Sequence, residues 1–197
     1  MGNDFTSGLR PALVFAGLFA ILLGIGYPLA MTGLAQAIFP SQANGSLVRQ
    51  DGKVIGSSVL GQAFTTERYF HTRPSAAGQG YDALASAGSN LGPTSGVLVD
   101  RVKRDVAARR AEGVTGAVPA DLVTASASGL DPHLSPAAAL AQAPRIARVR
   151  GIGEAAVRDL VDCHVRAPTL GILGEAHVDV LALNRDLDRL GAASAAR

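Results

Sequence analysis

Between Arg10 and Arg49 the chain carries no ionisable side chain apart from Tyr27, and Ala12 to Ala35 is built mostly of Leu, Ile, Phe, Ala and Gly. At 1.5 Å per residue this stretch makes a helix of roughly 36 Å, long enough to cross a hydrocarbon core of about 30 Å with some tilt. Two other readings compete, a buried core helix and a cleaved export signal. For the signal, Ala35-Gln36-Ala37 has the small-x-small form of a cleavage site and Arg10 gives a charged start. Signal cores hold about 7–15 apolar residues and this run is longer, which favours a retained membrane span. Pro28 is expected to kink or end the tight helix, which membrane helices tolerate better than soluble ones.

Charge on the two flanks sets the expected topology. Arg10 lies on one side and the next basic residue on the other side is Arg49, beyond an uncharged stretch, which places the N-terminus inside and the rest outside. The expected organisation is a cytoplasmic N-terminus at 1–10, a span at 11–36, a linker at 37–45 and an extracytoplasmic domain at 46–197. With a single cysteine, Cys163, that domain has no internal disulfide and relies on its core. A net charge of +2, with both signs interspersed, leaves no nucleic-acid-binding stripe.

Within the domain, Ser46–Arg49 and Lys53–Gly56 flank Gln50-Asp51-Gly52, which predicts a hairpin with an Asp-Gly turn. Asn44-Gly45-Ser46 matches a glycosylation acceptor only formally and is set aside. From Tyr69-Phe70-His71-Thr72-Arg73-Pro74-Ser75 to Thr94 the chain is rich in Gly, Ser and Asn, the composition of a long packed or functional loop. Gly88–Ser95 suggests a phosphate loop but lacks the lysine, so a structural turn capping the next helix is the favoured reading.

Ser95–Glu112 has helical spacing, with Leu98, Val102 and Val106 as its apolar stripe, Asp100/Arg104 and Asp105/Arg109 as i,i+4 pairs, and Gly113 as its stop. A second helix opens at Pro136 and is expected to end or restart at Pro144. A third, Glu154–His164, places His164 on the apolar face, where a satisfied core or boundary histidine is the favoured reading over a ligand. The last helix follows Gly174-Glu175 with Val180, Leu183, Leu187 and Leu190 in line, and the tail 191–197 is expected to fray. A few short strands and about four helices define an α+β fold behind a single N-terminal transmembrane helix.

The least ordinary stretch is Thr124–Ser135, TASASGLDPHLS. Leu122-Val123 reads as a strand leading into small residues that allow close backbone approach, then Asp131, Pro132 and His133 on a turn, then Ser135-Pro136 as an N-cap and first helical position. Ser126 or Ser128, Asp131 and His133 supply the side-chain types of a nucleophilic triad. Packed into eight residues they have little room for triad geometry, and no G-x-S-x-G is present. His71, His133, His164 and His177 show no metal-binding spacing.

A single N-terminal span followed, in order, by GKVIGSSVLGQAF, YFHTRPSA, SAGSNLGPTS, VPADLVTASASGLDPHLSPAAALAQAPRIA, RG and LGEAHVDVLALNRDLD resembles the C subunit of the bacterial Kdp potassium-transporting P-type ATPase. The resemblance runs from the span to about Asp188, with Ala176 and Asp179 standing where a proline and an asparagine are expected. It implies a non-catalytic accessory subunit of the inner membrane that binds no cofactor itself. Its implied partners are a potassium-channel-like subunit, an ATP-hydrolysing P-type subunit and a very small membrane peptide, and the complex handles ATP and potassium. It also implies stabilised assembly and a raised apparent ATP affinity. An external domain has no access to ATP inside the cell, so that effect would pass through the membrane subunits. An exported hydrolase using His133 and a free-standing extracytoplasmic binding module are the alternatives. Candidate subunit-contact or loop residues are Arg73, Asn90, Ser128, Gly129, Asp131, Pro132 and His133. Gly17, Gly24, Gly26 and Gly33 are candidates for helix packing in the membrane.

Overall fold

The structure is a computed structural model that describes residues 2–195. It divides into two compact units between Leu47 and Val48. The first is a helical rod: α1 (Gly2–Ile21), a π-helical turn (Leu22–Gly26), α2 (Tyr27–Ile38) and a short α3 (Pro40–Ala43) inside the stretch expected to be a linker. Within Ser7–Ile38 the most apolar 18-residue stretch has a mean hydropathy of 2.2 and no buried residue. Pro28 does not end the helix. Its missing N–H and bulky ring disturb the turn before it, and the chain answers by widening: the Tyr27 N–H donates to Leu22, five residues back. The amides of Gln36 and Asn44 donate to each other at 3.2 and 2.9 Å, closing the far end of the rod.

The expected hairpin, β1 (Leu47–Gln50) and β2 (Lys53–Ser57), starts at the boundary residue and otherwise belongs to the second unit. Its turn places Asp51 at φ +50° and Gly52 at φ +77°, the paired left-handed conformation that an Asp-Gly turn supplies. No helix or strand follows until α4 (Gly96–Ala111). A turn closed by the Ser95 N–H on Gly92 (3.0 Å) leads into α4, although the Ser95 hydroxyl makes no capping bond. Leu98, Val102 and Val106 are half-buried and no residue of α4 is buried. The expected pairs Asp100/Arg104 and Asp105/Arg109 are not formed among the described residues. Arg109 instead reaches Glu112 at 2.9 Å, and Glu112 also lies 3.6 Å from the buried Arg145.

The core lies among α5 (Pro136–Arg150), α6 (Glu154–His164) and α7 (Val180–Ala195). Ala138, Ala139, Ala143 and Ile146 of α5 meet Val157 and Val161 of α6 and Val180, Leu183 and Leu187 of α7, all essentially inaccessible to solvent. Alanines on α5 let its neighbours approach closely. Pro144 is carried inside α5 without a break, contrary to expectation, because it forfeits only one helical hydrogen bond on a helix held by tertiary packing. The tail differs as well: α7 continues to Ala195, while residues 196 and 197 lie outside the described residues.

Two buried amides stitch the irregular segment onto this core. Gln142 of α5 accepts from the His71 N–H at 2.8 Å and donates to the His71 carbonyl at 3.1 Å. Asn184 of α7 does the same for Phe70, at 2.8 and 3.0 Å. Each imitates a neighbouring strand, so Phe70 sits fully buried without an orphaned backbone group. Arg145, 3% exposed, adds bonds to the carbonyls of Glu67 and Tyr69.

Candidate functional site

Leu122 and Val123 are buried in a 3₁₀ turn (Ala120–Leu122) and its cap rather than forming the expected strand. Pro119 starts the turn, and the Leu122 and Val123 N–H groups bond back to Pro119 and Ala120 at 3.1 Å each. The strand lies further on: β3 is His133–Leu134, paired antiparallel with β4 (Val178–Asp179) so that His133 faces Asp179 and Leu134 faces Val178. His133 is therefore part of a ladder rather than displayed on a turn.

The small residues of the loop serve backbone contact. The Gly61 and Ala87 N–H groups donate to the carbonyls of Leu130 (2.7 Å) and Ser128 (3.0 Å), and the Ser75 hydroxyl donates to Gly129 (2.6 Å). Gly129 has φ +68°, and a Cβ there would meet the Ala87 carbonyl oxygen at 2.6 Å. A Cβ on Gly61 would meet the Asp131 carbonyl oxygen at 2.5 Å. Pro132 is buried and its carbonyl accepts from the Val180 N–H at 3.1 Å. Asp179 caps α7 through Oδ1, which accepts from the Ala182 N–H at 2.9 Å, a role that the asparagine expected there fills equally well.

Asp131 gathers the polar groups. Its Oδ1 accepts from the His133 N–H at 3.0 Å, and its Oδ2 accepts from Arg73 Nη1 at 3.1 Å. Arg73 also reaches the carbonyl and hydroxyl oxygens of Thr124, each at 3.4 Å. Burial is the largest influence on the Asp131 carboxyl and opposes its ionisation. The hydrogen bonds from His133 and the positive charge of Arg73 together outweigh it and hold the group below the usual carboxylate range. The His133 and His177 rings meet edge to face with centroids 4.5 Å apart.

The Arg73–Asp131 pair forms a wall shared by two open clefts. One, of about 550 Å³, is lined by Asp121, Thr124, His133, Glu175 and His177 besides the pair. The other, of about 480 Å³, lies along Val59 and Ala125–Ser128. Sequence reasoning missed Asp121, Glu175 and His177 as neighbours of this loop. Asp121 accepts from the Ser135 N–H at 2.7 Å, an arrangement that no local pattern signals. Asn90, exposed at φ +51°, lines neither cleft.

The geometry does not assemble a hydrolase. The Ser128 hydroxyl accepts from the Leu130 N–H at 3.1 Å and lies 3.5 Å from the Ser126 hydroxyl, while His133 is turned to Asp131 and His177. Among the described residues no hydrogen bond joins either serine to His133, the link a nucleophile and base require. Nor, among those residues, do three or more His, Cys, Asp or Glu side chains form a metal-holding group. His164, on the apolar face of α6, places Nδ1 2.9 Å from the Leu160 carbonyl and Nε2 3.0 Å from Asp186 Oδ2, the satisfied boundary position its spacing predicts.

In the helical rod, a Cβ added at Gly17, Gly24 or Gly33 would meet nothing within 4 Å. Their small size meets no packing need inside this chain. A shallow apolar groove of about 500 Å³ runs along Phe15, Leu18, Phe19, Leu22 and Gly26.

Residues 9–189 match the family described as KdpC, the c chain of the K+-transporting ATPase. The Potassium-transporting ATPase KdpC subunit of Caulobacter vibrioides (strain NA1000 / CB15N) is 60% identical over 183 residues, covering 92% of this chain and 93% of its own. The subunit of the same name from Acidobacterium capsulatum is 56% identical over 182 residues, with 92% and 98% covered. The one from Rhodopseudomonas palustris (strain BisB18) is 54% identical over 192 residues, with 91% and 96% covered. With one family matched along nearly the whole chain and relatives this similar at full length, the chain belongs to the KdpC family, the c chains of K+-transporting ATPases.

Proposed function

We propose that this chain is a membrane-anchored, non-catalytic accessory subunit of an ATP-driven potassium import complex in the bacterial inner membrane. Its N-terminus is cytoplasmic and its α+β domain extracytoplasmic. It stabilises the assembly of a potassium-channel-like subunit, an ATP-hydrolysing subunit and a small membrane peptide, and it raises the apparent ATP affinity of the complex from outside the nucleotide site. The observation that carries this reading is the Ser7–Ile38 helix, uncharged from Pro11 onward, whose most apolar 18-residue stretch has no residue buried within the chain. Lipid and other membrane helices match such a surface. The unfilled space at Gly17, Gly24 and Gly33 supports contact with a partner helix as well as anchoring.

Protease added to intact spheroplasts is expected to remove the domain. A mild-detergent purification of the tagged chain is expected to bring stoichiometric membrane partners with potassium-stimulated ATPase activity. Protection of the domain until lysis would reverse the topology, and a chain that purifies alone would remove the accessory role.

A further inference from the structure

The π-helical turn Leu22–Gly26 lies near the middle of the apolar rod, and its backbone hydrogen bonds do not all close. In a regular helix the Leu23 carbonyl accepts from the Tyr27 N–H, but that donor is taken by Leu22. In a π-helical turn its donor would be residue 28, a proline without an N–H. Leu23 therefore has no helical partner. Gly24 loses its regular donor to the same proline and has only the Leu29 N–H as an alternative. Nothing in the chain covers the gap: Leu22, Leu23, Ile25 and Tyr27 are 56–58% exposed, and a Cβ at Gly24 would meet nothing within 4 Å. Tyr27 is the only side-chain donor between Phe15 and Met31, and its rigid ring carries the hydroxyl away from its own backbone. In hydrocarbon an unpaired carbonyl is costly and draws a donor from outside the helix.

We infer that this turn is the acceptor half of an interhelical hydrogen bond, made at mid-membrane with a donor side chain on a transmembrane helix of a different chain, an inference that rests on the accessory-subunit reading above. The other occupants of a membrane lack the chemistry. Acyl chains carry no donor, and the hydrocarbon core holds no water to supply one. Two copies of this chain packed about a two-fold axis would set the same acceptors against each other. A helix bearing Ser, Thr, Asn, Gln or a basic side chain supplies the missing N–H or O–H. Its approach is open, because the glycines at 24 and 26 present backbone without a Cβ. The apolar groove along Phe15, Leu18, Phe19 and Leu22 ends at Gly26, so a helix packed in it passes over the turn. A single polar contact in an otherwise apolar seam is met only at one depth and one rotation. The bond therefore fixes the register of the two helices as well as joining them.

The test uses the full chain in its native membrane. Pro28→Ala restores the missing N–H and makes the span a more regular helix, yet it is expected to cut recovery of the co-purifying subunits about three- to tenfold. A proline that served only its own helix would give the opposite result, since its loss repairs the ladder. Pro11→Ala, in α1 and away from the turn, is expected to leave recovery unchanged. Equal amounts of the three proteins in the membrane fraction show that the span still inserts. A photoreactive benzophenone amino acid in place of Tyr27 is expected to crosslink to a helix of another subunit within one turn of a donor side chain. Replacing that donor with alanine is expected to reproduce the loss and to add nothing to Pro28→Ala. Undiminished recovery from Pro28→Ala, additive losses, or crosslinks confined to lipid or to a second copy overturn the inference and leave the accessory role standing. A wild-type chain that purifies without partners overturns both.

Discussion

The side-chain amide of Asn184 makes both backbone hydrogen bonds of Phe70, accepting from its N–H at 2.8 Å and donating to its carbonyl at 3.0 Å. Phe70 is 0% and Asn184 2% exposed, so neither backbone group has water as a substitute. Asn184→Leu keeps the volume and orphans a buried donor and a buried acceptor, each worth about 1–3 kcal/mol. We expect a loss of roughly 2–6 kcal/mol in urea unfolding. Asn184→Asp is expected to fall in the same range, because a carboxylate accepts from the N–H but repels the carbonyl. A loss below about 1 kcal/mol for the leucine variant would show that the clamp is dispensable.

The α5 to α7 core was legible because period-3.6 apolar spacing depends only on nearby residues: Val180, Leu183 and Leu187 point inward as that spacing requires. The hairpin was legible because Asp51-Gly52 encodes its own turn. What failed was either tertiary or a local rule overridden by packing. Pro144 is a helix breaker by itself, yet α5 is held on both sides of it by Ala143 and Ile146. Leu122-Val123 has strand composition, but its N–H groups bond back to Pro119 and Ala120 and the pair is buried in a turn. At the candidate site the carboxylate and histidine lay in one visible motif, whereas Arg73 lies 58 residues from Asp131 and His177 reaches His133 through a two-residue ladder. No local pattern encodes those meetings.

Gly129 and Gly151 separate two costs of losing a glycine. Both are left-handed, at φ +68° and φ +67°, but a Cβ at Gly151 meets nothing within 4 Å while one at Gly129 meets the Ala87 oxygen at 2.6 Å. Gly151→Ala is expected to cost only the conformational term, about 1–2 kcal/mol. Gly129→Ala adds a clash with backbone, about 1–3 kcal/mol more, and displaces the 124–132 loop. Thermal unfolding of the two variants side by side tests this. Equal midpoints would mean that the loop and the segment around Ala87 separate freely.

His71 should make the domain sensitive to mild acid. Its Nε2 faces the Thr66 carbonyl at 3.0 Å and must donate, which leaves Nδ1 to accept from Arg109 at 3.3 Å. Burial first, and the charge of Arg145 second, push its pKa below the usual 6.5. The unfolded chain then takes up a proton before the folded one does, so stability is full above about 6.5 and is lost as pH falls toward the lower folded value. Nitrogen shifts of the ring are expected to report the neutral Nε2–H form at pH 6.5. His71→Gln is expected to flatten the decline in urea midpoint between about pH 7 and pH 5.5. A decline of unchanged slope would assign it to other groups.

Asp131 acts in a lower window, and through its charge. Its carboxyl is held below the usual 3.8, so the stability it contributes is present above that value and disappears as pH falls through the folded one. Asp131→Asn keeps an acceptor for the His133 N–H and removes the charge facing Arg73, whose side chain is only 26% exposed. A partly buried arginine left without its counter-ion should cost about 1–3 kcal/mol near neutral pH. The difference between wild type and variant should therefore be widest near pH 7 and close below about pH 4, as the wild-type carboxyl is protonated. Arg73→Met supplies the complementary arm. If the two groups act as a pair, the double variant should lose less than the sum of the singles. Subunit recovery and potassium-stimulated ATPase activity are to be read on the same preparations. Because the carbonyls of Ser128, Gly129, Leu130 and Pro132 are all engaged within the domain, the loop is expected to behave as scaffold, with subunit recovery falling in step with stability. A fall in apparent potassium affinity with assembly and stability intact would instead place the Arg73–Asp131 pair on the ion's route.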